Sequence, residues 1–129
     1  MKLNPDLVRD LLLAIEEVTD ADTSFVYGKN LTAPEQLREY THEEIRYHLK
    51  QCEMAELIVN YRRYDGGDLV RVGDLSPEGH KFLANVRQDN IWNNTKQIAA
   101  KIGSKSMDTL VQISSNVITE LIKAQFGLT

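Results

Sequence analysis

Asp65-Gly66-Gly67-Asp68 lies between two runs rich in β-branched and aromatic residues, Leu57-Ile58-Val59-Asn60-Tyr61-Arg62-Arg63-Tyr64 and Leu69-Val70-Arg71-Val72, and no other stretch constrains the folding of this chain as tightly. Two adjacent glycines supply the positive φ that a tight turn demands, so the two runs are expected to form a β-hairpin. Just upstream, Thr41-His42-Glu43-Glu44 has the form of a capping box, in which the Thr and Glu side chains accept from each other's backbone N–H groups. A helix is therefore expected over 42–54. Ile45, His48, Leu49 and Cys52 share one of its faces, and Glu43, Arg46, Tyr47 and Lys50 point the other way.

Charge distinguishes two hairpin registers. Centring the turn on Gly66-Gly67 sets Asp65 opposite Asp68 and Arg62 opposite Arg71, both unfavourable like-charge pairs. Centring it on Asp65-Gly66 pairs Arg63 with Asp68, Tyr61 with Val70 and Val59 with Val72, and this is the expected register. It leaves one apolar face and one basic face carrying Asn60, Arg62 and Arg71.

The remaining elements follow from periodicity and capping signals. Asn4-Pro5 starts a helix whose stripe is Leu7, Val8, Leu11, Leu12, Ile15 and Val18, ended by Asp20-Ala21-Asp22. Ser24-Phe25-Val26-Tyr27 reads as a short strand stopped by Gly28, and Thr32-Ala33-Pro34 as the capped start of a helix of one to two turns. After the hairpin, Ser76-Pro77-Glu78-Gly79 caps a helix through Phe82, Leu83 and Val86. Another runs from about Asp89 through Trp92 to Gly103, and a last one starts near Ser106 and stops at Gly127. Its Leu110, Val111, Ile113, Val117, Ile118, Leu121, Ile122 and Phe126 form a broad apolar surface.

With 129 residues, 42% of them hydrophobic and 26% charged, the chain suits one globular domain. The longest apolar run, Leu11 to Ile15, is much too short to span a bilayer, and the start carries Asp6 where a signal peptide would be apolar. One cysteine, Cys52, closes no intrachain disulfide and reads as a small buried residue, so a reducing, cytoplasmic setting is expected. Net charge is −4, with the acid concentrated in the first forty residues, so any nucleic-acid contact has to be local.

No catalytic constellation is present. His42-Glu43-Glu44-Ile45-Arg46-Tyr47-His48 superficially suggests a zinc-protease helix, but histidines six apart lie about 240° apart around a helix and cannot grip one metal. His48 reads as a hydrogen-bonded core or boundary residue, and His80 as packed beside the hairpin base. Glu16 and Glu17 are adjacent on a helix and point apart. The expectation is a protein that is not an enzyme and uses no metal or cofactor.

The order of elements from Asn4 to about Val86 resembles a winged helix-turn-helix. "THEEIRYHLKQCEMAELI" is similar to a recognition helix running into the first wing strand, and "LSPEGHKFL" to the segment after the wing. Over nearly the whole chain, "MKLNPDLVRDLLLAIEE", "YHLKQCEMAELI", "LSPEGHKFLANVRQDNIW" and a Gly-Ser before an apolar last helix resemble the phage- and prophage-associated family of unknown function numbered 2513. The resemblance implies a mainly α chain with a small β-hairpin (α+β), with a winged-helix core over about 4–87 and two C-terminal helices over about 88–127. It brings no established activity.

In winged helices the third helix enters the major groove and the wing touches phosphates or the minor groove. The resemblance carries these roles onto His42, Arg46, Tyr47 and Lys50 for helix 42–54, and onto Arg62, Arg63 and Arg71 for wing 58–72. Arg46 would fork onto a guanine while the others hold phosphates. Glu43 and Glu44 oppose this at the helix start, although Glu44 is accounted for as the capping partner. The last helix either packs back on the first or forms a homodimer through Leu110, Ile113, Val117 and Leu121, which would present two recognition helices to a pseudo-palindrome. Trp92 is an aromatic anchor in both cases. Two functions follow as expectations: a phage or prophage transcriptional regulator binding double-stranded DNA, or an adaptor that docks a host or phage protein without DNA.

Overall fold

The computed structural model describes residues 1–127, and its architecture is mainly α with a small β-hairpin. In chain order the elements are α1 (Pro5–Val18), β1 (Phe25–Gly28), a 3₁₀ turn (Glu35–Leu37), α2 (His42–Met54), β2 (Ile58–Val59), β3 (Arg62–Tyr64), β4 (Leu69–Val72), β5 (Asp74–Leu75), α3 (Pro77–Val86), α4 (Asp89–Ile102) and α5 (Met107–Gln125). Backbone contacts gather into two units, Met1–His80 and the chain from Lys81 onward, so the division falls inside α3. Among the described residues no helix is long and apolar enough to cross a membrane.

In the first unit α1 packs on α2, on β5 and on the 3₁₀ turn. Asn4 caps α1, its Oδ1 accepting from the N–H groups of Asp6 and Leu7 at 3.0 and 3.4 Å. Leu7, Val8, Leu11, Leu12, Ala14 and Ile15 are buried, whereas Val18, expected in the same stripe, is exposed at the helix end. The expected helix after Thr32 is only the three-residue 3₁₀ turn, with Pro34 at its cap position and no side-chain cap bond.

The capping box of α2 is complete: Thr41 Oγ1 accepts from Glu44 N–H at 3.1 Å, and Glu44 Oε1 accepts from Thr41 N–H at 3.0 Å. Ile45, His48, Leu49 and Cys52 are buried as the periodicity predicts, and burial alone pushes the Cys52 thiol up to about 12. His48 joins two helices. Its Nδ1–H donates to the Glu44 carbonyl at 2.7 Å, and its Nε2 accepts from Asn4 N–H at 2.8 Å, an arrangement open only to the neutral ring. Burial, the largest influence, lowers its pKa.

The hairpin forms in the other register. β3 and β4 pair Arg62 with Arg71, Arg63 with Val70 and Tyr64 with Leu69, which centres the turn on Gly66-Gly67. Asp65, Gly66 and Gly67 all adopt positive φ (54°, 65° and 97°), and Asp68 N–H closes the turn on the Asp65 carbonyl at 3.2 Å. Asp65 and Asp68 thus belong to the turn and not to the ladder, so their expected repulsion does not decide the pairing. Arg62 and Arg71 do face each other, but both are exposed, where water and salt screen the cost. The observed register differs from the expected one by two residues, and a shift of two preserves the face of every side chain. β4 is central, flanked by β1 and β3. Asn60, at φ 57°, interrupts the long strand, and β2 then pairs with β5.

α3 starts against the backbone that leads into β2. Ser76 Oγ donates to the Glu56 carbonyl at 2.5 Å and accepts from Gly79 N–H at 2.9 Å. A Cβ on Gly79 would overlap the Leu57 carbonyl oxygen, so no side chain fits there.

In the second unit α4 and α5 pack on each other. Gly103, left-handed at φ 81°, ends α4, and Ser106 caps α5 by accepting from Thr109 N–H at 3.2 Å. Trp92 is buried edge-on to Phe82, with ring centroids 6.5 Å apart. Leu110 and Ile113 are buried within the single chain, so the expected dimer surface loses both. Val117 is half-buried, and Leu121, Ile122 and Phe126 are exposed.

Gly79→Ala is expected to destabilise the fold by about 3 kcal/mol, the upper range for forced overpacking, in urea unfolding. His48 gives a pH signature. A depressed folded pKa means the unfolded chain binds the proton more readily, so the stabilisation is present above the ordinary histidine pKa near 6.5 and is lost as pH falls below it. The melting temperature should therefore drop between pH 7.5 and 5, and His48→Gln should flatten that part of the profile.

Candidate nucleic-acid interface

The outward face of α2 carries Glu43, Tyr47, Lys50 and Met54 in a stripe, because residues spaced by four, three and four return to the same side of a helix. Arg46, three residues after Glu43 and four before Lys50, belongs to the same outward face and forms its edge on the flank that also carries His42.

That flank meets the hairpin turn. The His42 ring stacks on Tyr27 with centroids 5.4 Å apart, its Nδ1 lies 3.3 Å from the Tyr27 hydroxyl, and its Nε2 lies 3.2 Å from the Gly67 carbonyl. Both ring nitrogens are thus engaged within the fold, and His42 serves as a strut between α2, β1 and the turn. The Arg46 guanidinium lies against Gly67 so closely that a Cβ there would overlap it. Arg46 Nε is buried and has no hydrogen-bond partner.

Between α2 and β3 opens a cleft of about 270 Å³ lined by Glu43, Arg46, Tyr47, Lys50, Tyr61 and Arg63. Arg63 is there because it is paired with Val70, whose side chain is buried, and so shares the sheet face turned toward α2. Tyr61, two residues earlier, shares that face and is the one lining residue the sequence reading did not single out; the period-two spacing from Arg63 was its signal. Burial raises the Tyr61 pKa, opposed by the charges of Arg63 and Arg46 and reinforced by that of Glu53, which keeps the phenol a hydrogen-bond donor at neutral pH. Lys50 Nζ contacts Glu53 Oε1 at 3.1 Å on the exposed side of the helix.

Arg62 and Arg71 are elsewhere. They occupy the opposite face of the sheet, with Val26 directly beside Arg71 in the ladder. The seven expected contact residues therefore divide in three: Arg46, Tyr47, Lys50 and Arg63 share the cleft, Arg62 and Arg71 lie behind it, and His42 is committed to packing. His80, expected beside the hairpin base, has its Nε2 3.7 Å from Asp74 Oδ1 of β5.

A family model described as Hypothetical protein (DUF2513) matches residues 2–106. An uncharacterized protein of Haemophilus influenzae (strain ATCC 51907 / DSM 11121 / KW20 / Rd) is 29% identical over 125 residues, covering 95% of this chain and 99% of that protein. No solved structure matches.

His42→Ala removes a ring stack and the contact with the Gly67 carbonyl, and should cost about 1–2 kcal/mol of stability. Denaturant titration checks this, and a variant as stable as the parent would rule out the strut role.

Proposed function

We propose a DNA-binding role for this chain, which belongs to the family described as Hypothetical protein (DUF2513). The reading is a winged-helix transcriptional regulator of phage or prophage origin, in which α2 enters the major groove and the β3–β4 hairpin is the wing. The observation that carries it is the cleft: three cations, Arg46, Lys50 and Arg63, and two phenols, Tyr47 and Tyr61, gather beside the outward stripe of α2 in a chain whose net charge is −4. Hydrogen-bond donors concentrated against the overall charge suit a polyanion that approaches from one side. The order of helix, strand, turn, helix and hairpin supports the same reading, and the phage setting rests on the family resemblance alone.

A protein-docking role has its own observation. Asn94, Ile98, Ile102, Ile113, Asn116, Val117, Glu120 and Leu121 line a mainly apolar groove of about 430 Å³ between α4 and α5, and Phe126 at the end of α5 is 75% exposed. A second copy or another protein covering that groove would serve a dimeric regulator or an adaptor.

Titration of labelled random and phage-derived duplex DNA at two salt concentrations tests the DNA reading. Binding should weaken with salt, and Arg46→Ala and Lys50→Ala should each lower the salt slope by about 1. Arg62→Ala, behind the cleft, should change affinity less. Absence of binding at low salt by folded protein would overturn the reading in favour of a protein partner.

A further inference from the structure

We propose that the cleft between α2 and β3 seats a single phosphate group with Arg46 as its fixed cation, so that Arg46 holds backbone and does not fork onto a base. The assignment of that phosphate to DNA rests on the reading above; the seat itself rests on the geometry of the cleft.

A base-reading arginine needs a guanidinium free to extend from the helix into the groove. Arg46 starts on the flank of α2, and its guanidinium is laid over the bare α-carbon of Gly67. Its Nε is buried, so extension toward a base edge would mean leaving this packing. Among the described residues no carboxylate pairs with Arg46 or with Arg63, whereas Lys50 already has Glu53. Two guanidinium groups with no carboxylate, on different elements, thus line one cleft with two phenols.

The chemistry of that set is selective. Guanidinium, ammonium and protonated phenol are all donors, and a tetrahedral oxyanion offers acceptors in several directions at once. A nucleobase edge mixes donors and acceptors and would leave some of these groups unmatched. Glu43 is the single acid in the lining and repels such a ligand, so it weakens the seat.

Inorganic phosphate, with chloride holding ionic strength constant, is titrated into the full chain while NMR follows the Tyr61 ring and the Arg46 Nε–H. The variants are Arg46→Ala, Arg46→Lys and Glu43→Gln, each checked for its melting temperature, and the same variants are titrated with random and selected duplexes. The expected result is a saturable shift at both residues, lost in Arg46→Ala, partly kept in Arg46→Lys and tightened several-fold in Glu43→Gln. On DNA, Arg46→Ala should weaken random and selected duplexes by the same factor. Unmoved signals, or a loss confined to the selected duplex, would overturn the seat even if DNA still bound. Saturation by phosphate with no duplex binding would leave the seat as a site for free phosphate and remove the DNA reading. Should Arg46→Ala fail to fold, Arg46→Lys and Glu43→Gln decide on inorganic phosphate alone: an affinity unchanged in Arg46→Lys, or not tightened in Glu43→Gln, overturns the seat.

Discussion

The turn between β3 and β4 is held against α2 by the space that Gly67 leaves empty. With no side chain there, the Arg46 guanidinium lies directly on the turn, and the Gly67 carbonyl reaches His42 Nε2 at 3.2 Å. Tyr27 of β1 backs His42 from below, so helix, turn and sheet meet at one point. Everything proposed about the cleft depends on this junction, because it sets the distance between the cations of α2 and those of β3. The left-handed backbone at Gly67 serves both purposes: it turns the chain and keeps the α-carbon bare.

The base of the same assembly is fixed by polar groups that have little alternative. His48 ties the start of α1 to the first turn of α2, and Ser76 ties the end of α2 to the start of α3. Each uses both of its hydrogen-bonding capacities, which is the condition for burying a polar side chain at low cost. Gly79 allows α3 to begin against the Leu57 carbonyl. The first unit is therefore organised by a few close approaches around a hairpin, with Leu, Ile and Val filling the space between α1, α2 and the sheet.

An acidic chain can present a basic cleft because solvent screens charges beyond about 10 Å. The carboxylates of Glu16, Glu17, Asp20 and Asp22 lie at the end of α1 and in the loop that follows, away from the α2 stripe in sequence and on different elements. In the second unit the pattern is apolar. Leu110 and Ile113 are buried, while Ile102, Leu121, Ile122 and Phe126 stay exposed, an unusual concentration of large apolar side chains on one helical pair.

Local chemistry made much of this legible from the residues alone. The Thr41 capping box, the Asn4 and Ser106 caps, the buried stripe of α2 and the existence of the hairpin all depend on neighbours within a few positions, and each appears where spacing and residue type put it. The hairpin register was not legible, because pairwise charge rules assume ladder partners, whereas three successive positive φ angles take Asp65 and Asp68 out of the ladder. Helix periodicity could say that Arg46 is polar and near the surface; only the packing of the Gly67 turn decided that it lies flat instead of reaching outward. Likewise the broad apolar stripe of α5 was visible as a pattern, but which part is covered, Leu110 and Ile113, and which stays bare, Leu121 and Phe126, is a matter of tertiary packing. Residue pattern determined which elements form and which faces are apolar, since those are local and periodic properties; the tertiary structure decided which side chains meet, because that depends on backbone approach between segments far apart in the chain.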